Sequence, residues 1–350
     1  MARRTIEMEM EYLNTIDNPP QTPQDLHKQA ASGDDPTINA WRETWIKNMK
    51  LNHEICESFC SNGIGKVYGE FNLKPCIIAG SGPSLKINIE DLKKKGDVPL
   101  LSCLHNFHFM VDHKIDVNYF ITLDAGEITL PEISEGGKES HEYYLEQTKN
   151  YTLMAFIGTS PNLIKAWKGK VLWFNCPIPD TEVKESYEKV ERFDNYVSNG
   201  GNVLGAAVYI AKAYLGANPI AYIGADFAFG YDKKFHSWNS AYDKKLGTVM
   251  RTVDCWGNKV LTWQSYYNFK CWHDSITMKV PGEWINCTEG GTWGVYPEGL
   301  IKNIKHKSLK EFLDGYNLYG HMKFQALNPK NAAEDSGIPG VPPHPKLMFN

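Results

Sequence analysis

Three stretches of the chain carry side chains suited to a phosphate-bearing ligand. Gly80, Ser81, Gly82, Pro83 and Ser84 follow the apolar run Cys76 to Ala79. Two glycines permit close backbone approach, Pro83 suits the first turn of a helix, and the serines carry hydroxyl donors, which together make an anion site. The same residues also suit a plain strand-to-helix turn, and their spacing matches neither the Walker pattern nor the GxGxxG fingerprint. Ser198, Gly200, Gly201 and Asn202 lead into a second apolar helix. Its amino end can hold a nucleotide or a sugar carboxylate, or can be a well-capped helix start with a glycine lead-in. The third stretch is acidic: Asp124 and Glu127 can bind Mg²⁺, a ribose or a substrate amine, or can stay a solvated pair.

Other candidates are more scattered. Asn106 follows the run Val98 to Cys103 and can donate to a phosphate or cap a loop, while His105, His108 and His113 beside it lack a positioned carboxylate for a metal. Asp226 closes the run Pro219 to Gly224, as a catalytic group or as a cap for the following turn. His236 sits in a polar loop, where an imidazole titrates near neutrality. Thr288, Glu289 and Gly290 lie in a polar loop, and the aromatic-rich segments 252–267 and 271–284 suit a lobe or lid, or core packing.

The elements that position these residues can be read from hydrophobic pattern. Cys76 to Ala79, Val98 to Cys103, Val117 to Leu123, Tyr151 to Ile157, Val171 to Phe174 and Pro219 to Gly224 are short apolar runs without period-2 alternation, as expected of parallel strands covered on both faces. Helical spacing over residues 37–61, 88–95, 198–216 and 300–313 supplies the cover. This predicts an α/β protein with a mostly parallel sheet, helices on both faces and an N-terminal helical extension. In such sheets ligands bind at the carboxyl ends of the strands. The expected division is a polar extension at 1–36, a helical lead-in at 37–70, a catalytic domain at 71–325 and a proline-rich tail at 326–350. Residues 128–149 read as an acidic insertion and 177–192 as a mobile surface segment.

Composition excludes little beyond this. With 350 residues and a net charge of −4, nothing drives the chain as a whole toward nucleic acid or anionic membrane. Acids interrupt the apolar residues at the start and no run reaches the length of a membrane span, so a cytoplasmic protein is expected. Eight cysteines without a CxxC pair suit free thiols better than disulfides or a metal.

The ordered set Gly-Ser-Gly-Pro-Ser-Leu at 80–85, Ser-Asn-Gly-Gly-Asn-Val at 198–203, Ile-Gly-Ala-Asp-Phe-Ala-Phe at 223–229, His236 and Asn-Cys-Thr-Glu-Gly-Gly at 286–291 resembles the motility accessory factor (Maf) glycosyltransferases. These belong with MptE-like domains, which include 6-hydroxymethylpterin pyrophosphokinases; the set is also distantly similar to bacterial CMP-sialic acid sialyltransferases. The resemblance spans roughly residues 48–313 and implies a Rossmann-like catalytic domain. It implies transfer of a sugar, a nonulosonate by preference, from a nucleotide-activated donor to an acceptor hydroxyl. His236 would be the general base, with Asp226 also catalytic. Gly80 to Ser84, Asn106, Asp124, Ser198, Gly200, Gly201 and Asn202 would hold the nucleotide, and Thr288, Glu289 and Gly290 would meet sugar or acceptor. The acceptor could be a protein hydroxyl, a glycan or a modified base, and the donor would be the only cofactor. The alternatives are a pyrophosphokinase using ATP and Mg²⁺, with Asp124 and Glu127 on the metal, and a nucleotide-binding protein without turnover.

Overall fold

A computed structural model describes residues 23–32, 34–230, 249–296, 299–300 and 303–316. Six strands follow one another as β1 (Cys76–Ala79), β2 (Leu100–Cys103), β3 (Tyr119–Thr122), β4 (Thr152–Phe156), β5 (Lys170–Phe174) and β6 (Ile220–Ile223). The antiparallel hairpin of β7 (Val249–Val253) and β8 (Lys259–Trp263) comes next, then β9 (Trp284–Asn286), a small hairpin of β10 (Val295–Tyr296) and β11 (Gly299–Leu300), and β12 (Ile304–His306). Eight strands form one sheet in the order β12-β9-β6-β1-β2-β3-β4-β5. Every neighbouring pair in it is parallel.

The apolar runs explain this arrangement. All four residues of β1, β2, β3 and β6 are buried, so a strand that alternated polar and apolar residues would put charge into one covered face. From β1 to β5 the chain adds strands in one direction; β6 then pairs with the opposite side of β1, with Ala79 level with Ile223. Such a reversal opens a crevice at the carboxyl ends of the two strands on either side of it.

The helix Asp34–Cys56 belongs to the frame of that crevice. Met49 is fully buried, and Trp45 meets Phe156 edge to face at 6.4 Å. Asn48 Nδ2 donates to the carbonyls of Ala125 and Gly158, and Asn52 Nδ2 to those of Ile157 and Thr159. Two side chains thus satisfy four carbonyls in the loops that leave β3 and β4, where the sheet no longer does so. Among the described residues no helix is long and apolar enough to cross a membrane.

Several expectations need correction. Residues 177–192 contain an ordered helix, Thr181–Val190, whose cap Asp180 accepts from the Val183 amide at 2.9 Å and from Arg42 at 2.6 Å. Its charged residues outnumber the two that it buries, Val183 and Tyr187, which hides it in a pattern search. The aromatic segments form the β7–β8 hairpin and the helix Gln264–Lys279, most of which is buried and packs against Pro23–Ala31. Residues 300–313 are not one helix: β12 precedes a helix over 309–316. Residues 1–22 and 317–350 lie outside the described set.

Candidate functional site

A cavity of about 340 Å³ opens at the carboxyl ends of β1, β2, β3 and β6, at the point where the strand order reverses. Gly80, Ser81 and Gly82 line it together with Gly224, Ala225 and Asp226. The glycines serve a different purpose from the one expected. A Cβ on Gly80 would lie 2.5 Å from the Gly224 carbonyl oxygen, and one on Gly82 would lie 2.0 Å from Asp226 Oδ2. Their amides are engaged as well, Gly80 N donating to Ile223 O at 2.9 Å and Gly82 N to Gly224 O at 2.8 Å. The glycine-rich turn is therefore a close seam between two strand ends, and these two amides do not cradle an anion. Pro83 is buried behind it.

Asp226 lines the cavity, whereas Ser84, expected to bind phosphate, is not among the lining residues and bonds to Asp226 instead. Ser84 donates to Asp226 Oδ2 from its hydroxyl at 2.7 Å and from its amide at 3.3 Å. Burial, opposed by these two bonds, pushes the Asp226 carboxyl up to about 7. Phe227, next in the chain and on the cavity wall, holds a left-handed φ of +48°. A non-glycine residue held there stores strain that the surroundings must stabilise, a pattern common at functional sites.

The expected sugar-contacting loop supports Asp226 from behind. Thr288 is fully buried and accepts from the Ala225 amide at 3.2 Å. Glu289, at φ +57°, takes hydrogen bonds from Asn88 and from the Leu309 amide. A Cβ on Gly290 would sit 3.9 Å from Asp226 Oδ1, and the Thr292 amide donates to the Asp226 carbonyl. Thr288, Glu289 and Gly290, expected to meet sugar or acceptor, are absent from the described cavity lining.

Asn106 is likewise internal. It is fully buried, and its Nδ2 donates to Ala79 O, Gly80 O and Ser102 Oγ at 3.1–3.2 Å, tying β1 to β2. Gly201 and Asn202 do reach the cavity, whereas Ser198 and Gly200 are not among its lining residues. Gly200 is required by the indole of Trp272, which a Cβ there would meet at 2.2 Å. Asn202 caps the helix Val203–Tyr209, its Oδ1 accepting from the Gly205 amide at 2.9 Å.

The opposite wall is acidic. Asp124 lies open to the cleft, yet the protein around it raises its carboxyl pKa by desolvation. Glu127, the expected partner of Asp124 on a metal, accepts from Asn162 Nδ2 at 2.5 Å and is not among the cavity's lining residues. Glu132 takes its place on the wall, pushed up to about 7 by burial and then by the charges of Asp124 and Glu135. His105 lies beside it, its Nε2 3.9 Å from Glu135 Oε2. One donor atom from each of His105, Glu132 and Glu135 lies within 4.8 Å of the other two. His113 instead has its Nδ1 at 2.8 Å from Phe109 O, and His108 is buried against Tyr144.

Sequence reasoning missed Thr129, Glu132, Tyr266 and Phe269, all of which line the cavity. Tyr266 and Phe269 stand three apart on one helix, a spacing that marks a shared face without saying what it faces. Glu132 lies in the segment read as an insertion, where the run of acids is visible but its partner His105 is not. His236 lies outside the described residues.

Comparison with known proteins now bears on this geometry. The model of the family described as 6-hydroxymethylpterin diphosphokinase MptE-like matches residues 44–232, more than half of the chain and nearly all of the cavity's frame. The chain belongs to the MptE-like family. A solved structure of a Maf glycosyltransferase from Magnetospirillum magneticum AMB-1 shares the fold, with a TM-score of 0.54 at 14% identity. The match covers 85% of this chain and 50% of that one, so the MptE-like chain spans half of that protein's length. No curated protein gives a significant match.

Proposed function

We propose that this MptE-like protein is a glycosyltransferase that moves a sugar from a nucleotide-activated donor to an acceptor hydroxyl. The observation that carries the reading is the cavity at the sheet's reversal point with Asp226 on its floor. A site of about 340 Å³ suits a small-molecule ligand, and Phe227, Tyr266 and Phe269 offer aromatic faces for a base or sugar ring. The donor's leaving phosphate would lie between Ser81 and the Gly201–Asn202 side. With its carboxyl pushed up to about 7, Asp226 is suited to proton exchange near neutrality. His236 remains the candidate base for the acceptor hydroxyl on resemblance alone.

The donor sugar is the most exposed part of this reading. Asp124, Glu132 and Asp226 line the cavity, and no Lys or Arg does so among the described residues. A nonulosonate carboxylate entering there would meet like charge unless a cation joined it. The same wall favours a second reading, that of a diphosphokinase taking ATP with Mg²⁺, in line with the family's description. The glycosyltransferase reading requires no cofactor beyond the donor. Its acceptor would be a protein hydroxyl, a glycan or a modified base, and its place of action the cytoplasm. A nucleotide-binding role without turnover is the third class.

A thermal-shift series with CMP, CDP, UDP, GDP and ATP, each with and without Mg²⁺, separates these readings. A ligand at about 100 times its Kd adds roughly 2.7 kcal/mol of stability. Stabilisation by CMP or another sugar-donor nucleotide, independent of Mg²⁺, supports the transferase. Stabilisation by ATP only with Mg²⁺ replaces it with the diphosphokinase. Once a donor is found, Asp226→Asn is expected to lower kcat by about 10²-fold or more; unchanged turnover would remove Asp226 from the chemistry.

A further inference from the structure

We propose that His105, Glu132 and Glu135 form a binding site for a divalent transition-metal cation, Mn²⁺ or Zn²⁺ in kind, on the wall of the cavity. The inference goes beyond the transferase reading and does not depend on it. His105 stands in the turn Leu104–Asn106 directly after β2, while Glu132 ends the short helix Thr129–Glu132 after β3, with Glu135 three residues on. Two separate crossover loops thus deliver one nitrogen and two carboxylate donors to one point, within 4.8 Å of one another. Residues distant in sequence have been brought together, which a solvated run of acids would not require.

The donor set selects the ion. Imidazole with carboxylates suits Mn²⁺ or Zn²⁺, whereas Mg²⁺ favours oxygen donors and keeps its own waters. Metal–donor bonds of about 2.0–2.2 Å bring donors to within roughly 3–4 Å of each other. His105 Nε2 and Glu135 Oε2 are already 3.9 Å apart, near the separation of two ligands on one ion, and the Glu135 side chain is 50% exposed. His105 and Glu132 both face the cavity, so three protein ligands would leave coordination positions open toward any bound oxygen. A cation there would also relieve the repulsion among Glu132, Glu135 and Asp124, in a cavity whose described lining holds no Lys or Arg.

The test is direct metal binding without any nucleotide. The full chain is stripped with a chelator and titrated with Mn²⁺, while the free-ion signal is followed by electron paramagnetic resonance. One bound Mn²⁺ per chain, displaced by Zn²⁺ but not by equal Mg²⁺, is expected. Glu135→Gln, a change at a half-exposed side chain, and His105→Ala should each weaken binding about tenfold or more, with thermal melting confirming the fold. Glu127→Gln, on a carboxylate turned away from the cluster, should leave binding unchanged. Absence of Mn²⁺ and Zn²⁺ binding, or affinities equal to wild type in Glu135→Gln, would overturn the site. Either outcome leaves nucleotide binding to be judged separately by its own thermal shift.

Discussion

Asp226 illustrates how one side chain links packing to chemistry. Its carboxyl binds a proton more tightly in the folded chain, at about 7, than at the ordinary value of 3.8. Below about pH 4 the carboxyl is protonated in both states and folding carries no cost for ionising it. As pH rises from there through 7 the unfolded chain releases its proton first, and up to about 4 kcal/mol of stability is lost. Asp226→Asn removes that penalty, so urea denaturation should show the variant gaining on wild type between about pH 4 and pH 7 and levelling off above it. An unchanging difference would mean that Asp226 ionises as an ordinary surface acid. The residue is legible in the sequence because a carboxylate at the end of an apolar strand has few other placements. What Gly82 does for it is not, since the 2.0 Å clearance is set by a strand far along the chain. Thr288 and Glu289 illustrate the opposite case: polar residues in a glycine-flanked loop look like ligand contacts, yet hydrogen bonds to Ala225 and Asn88 turn both inward.

At the level of the element, the helix Gln264–Lys279 carries both cavity and core. Tyr266 and Phe269 face the cavity, Trp272 presses on Gly200, and His273 approaches Tyr222 Oη at 3.2 Å. Between them Lys270 and Asp274 form an ion pair at 2.6 Å, with side chains 1% and 0% exposed. Removing one charge leaves the other buried alone, so Lys270→Met should destabilise by roughly 3–5 kcal/mol in chemical denaturation. A loss under about 1 kcal/mol would indicate that water reaches Asp274. No amphipathic pattern announces this helix, because polar groups that satisfy one another occupy its inner face. The β1–β6 strands were legible for the converse reason: a doubly covered strand leaves no room for polar residues, so its composition alone betrays it.

For the molecule as a whole, the long Asp34–Cys56 helix acts as a brace on the cavity rim. Asn52 satisfies the carbonyls of Ile157 and Thr159, and Thr159 Oγ1 in turn donates to the Asp124 carbonyl at 2.6 Å. Asn52→Ala would orphan two carbonyls at once, and a loss of roughly 1–3 kcal/mol in denaturation is expected. A neutral result would mean that solvent enters the seam and replaces the amide. The periodicity of this helix is readable from sequence, whereas its duty to the loops after β3 and β4 is a matter of three-dimensional adjacency.

The sheet's reversal has a kinetic side. Ser84 and Asp226, hydrogen-bonded beside the cavity, are 142 positions apart, and β1 through β5 can pair before β6 exists. Loop closure over such a span is slow compared with pairing of successive strands. During synthesis, the early half would emerge with the flank of β1 uncovered, a sticky edge awaiting its mate. Competence to bind is thus the last property the nascent chain acquires, and truncation anywhere before Ile220 should yield a species prone to aggregate.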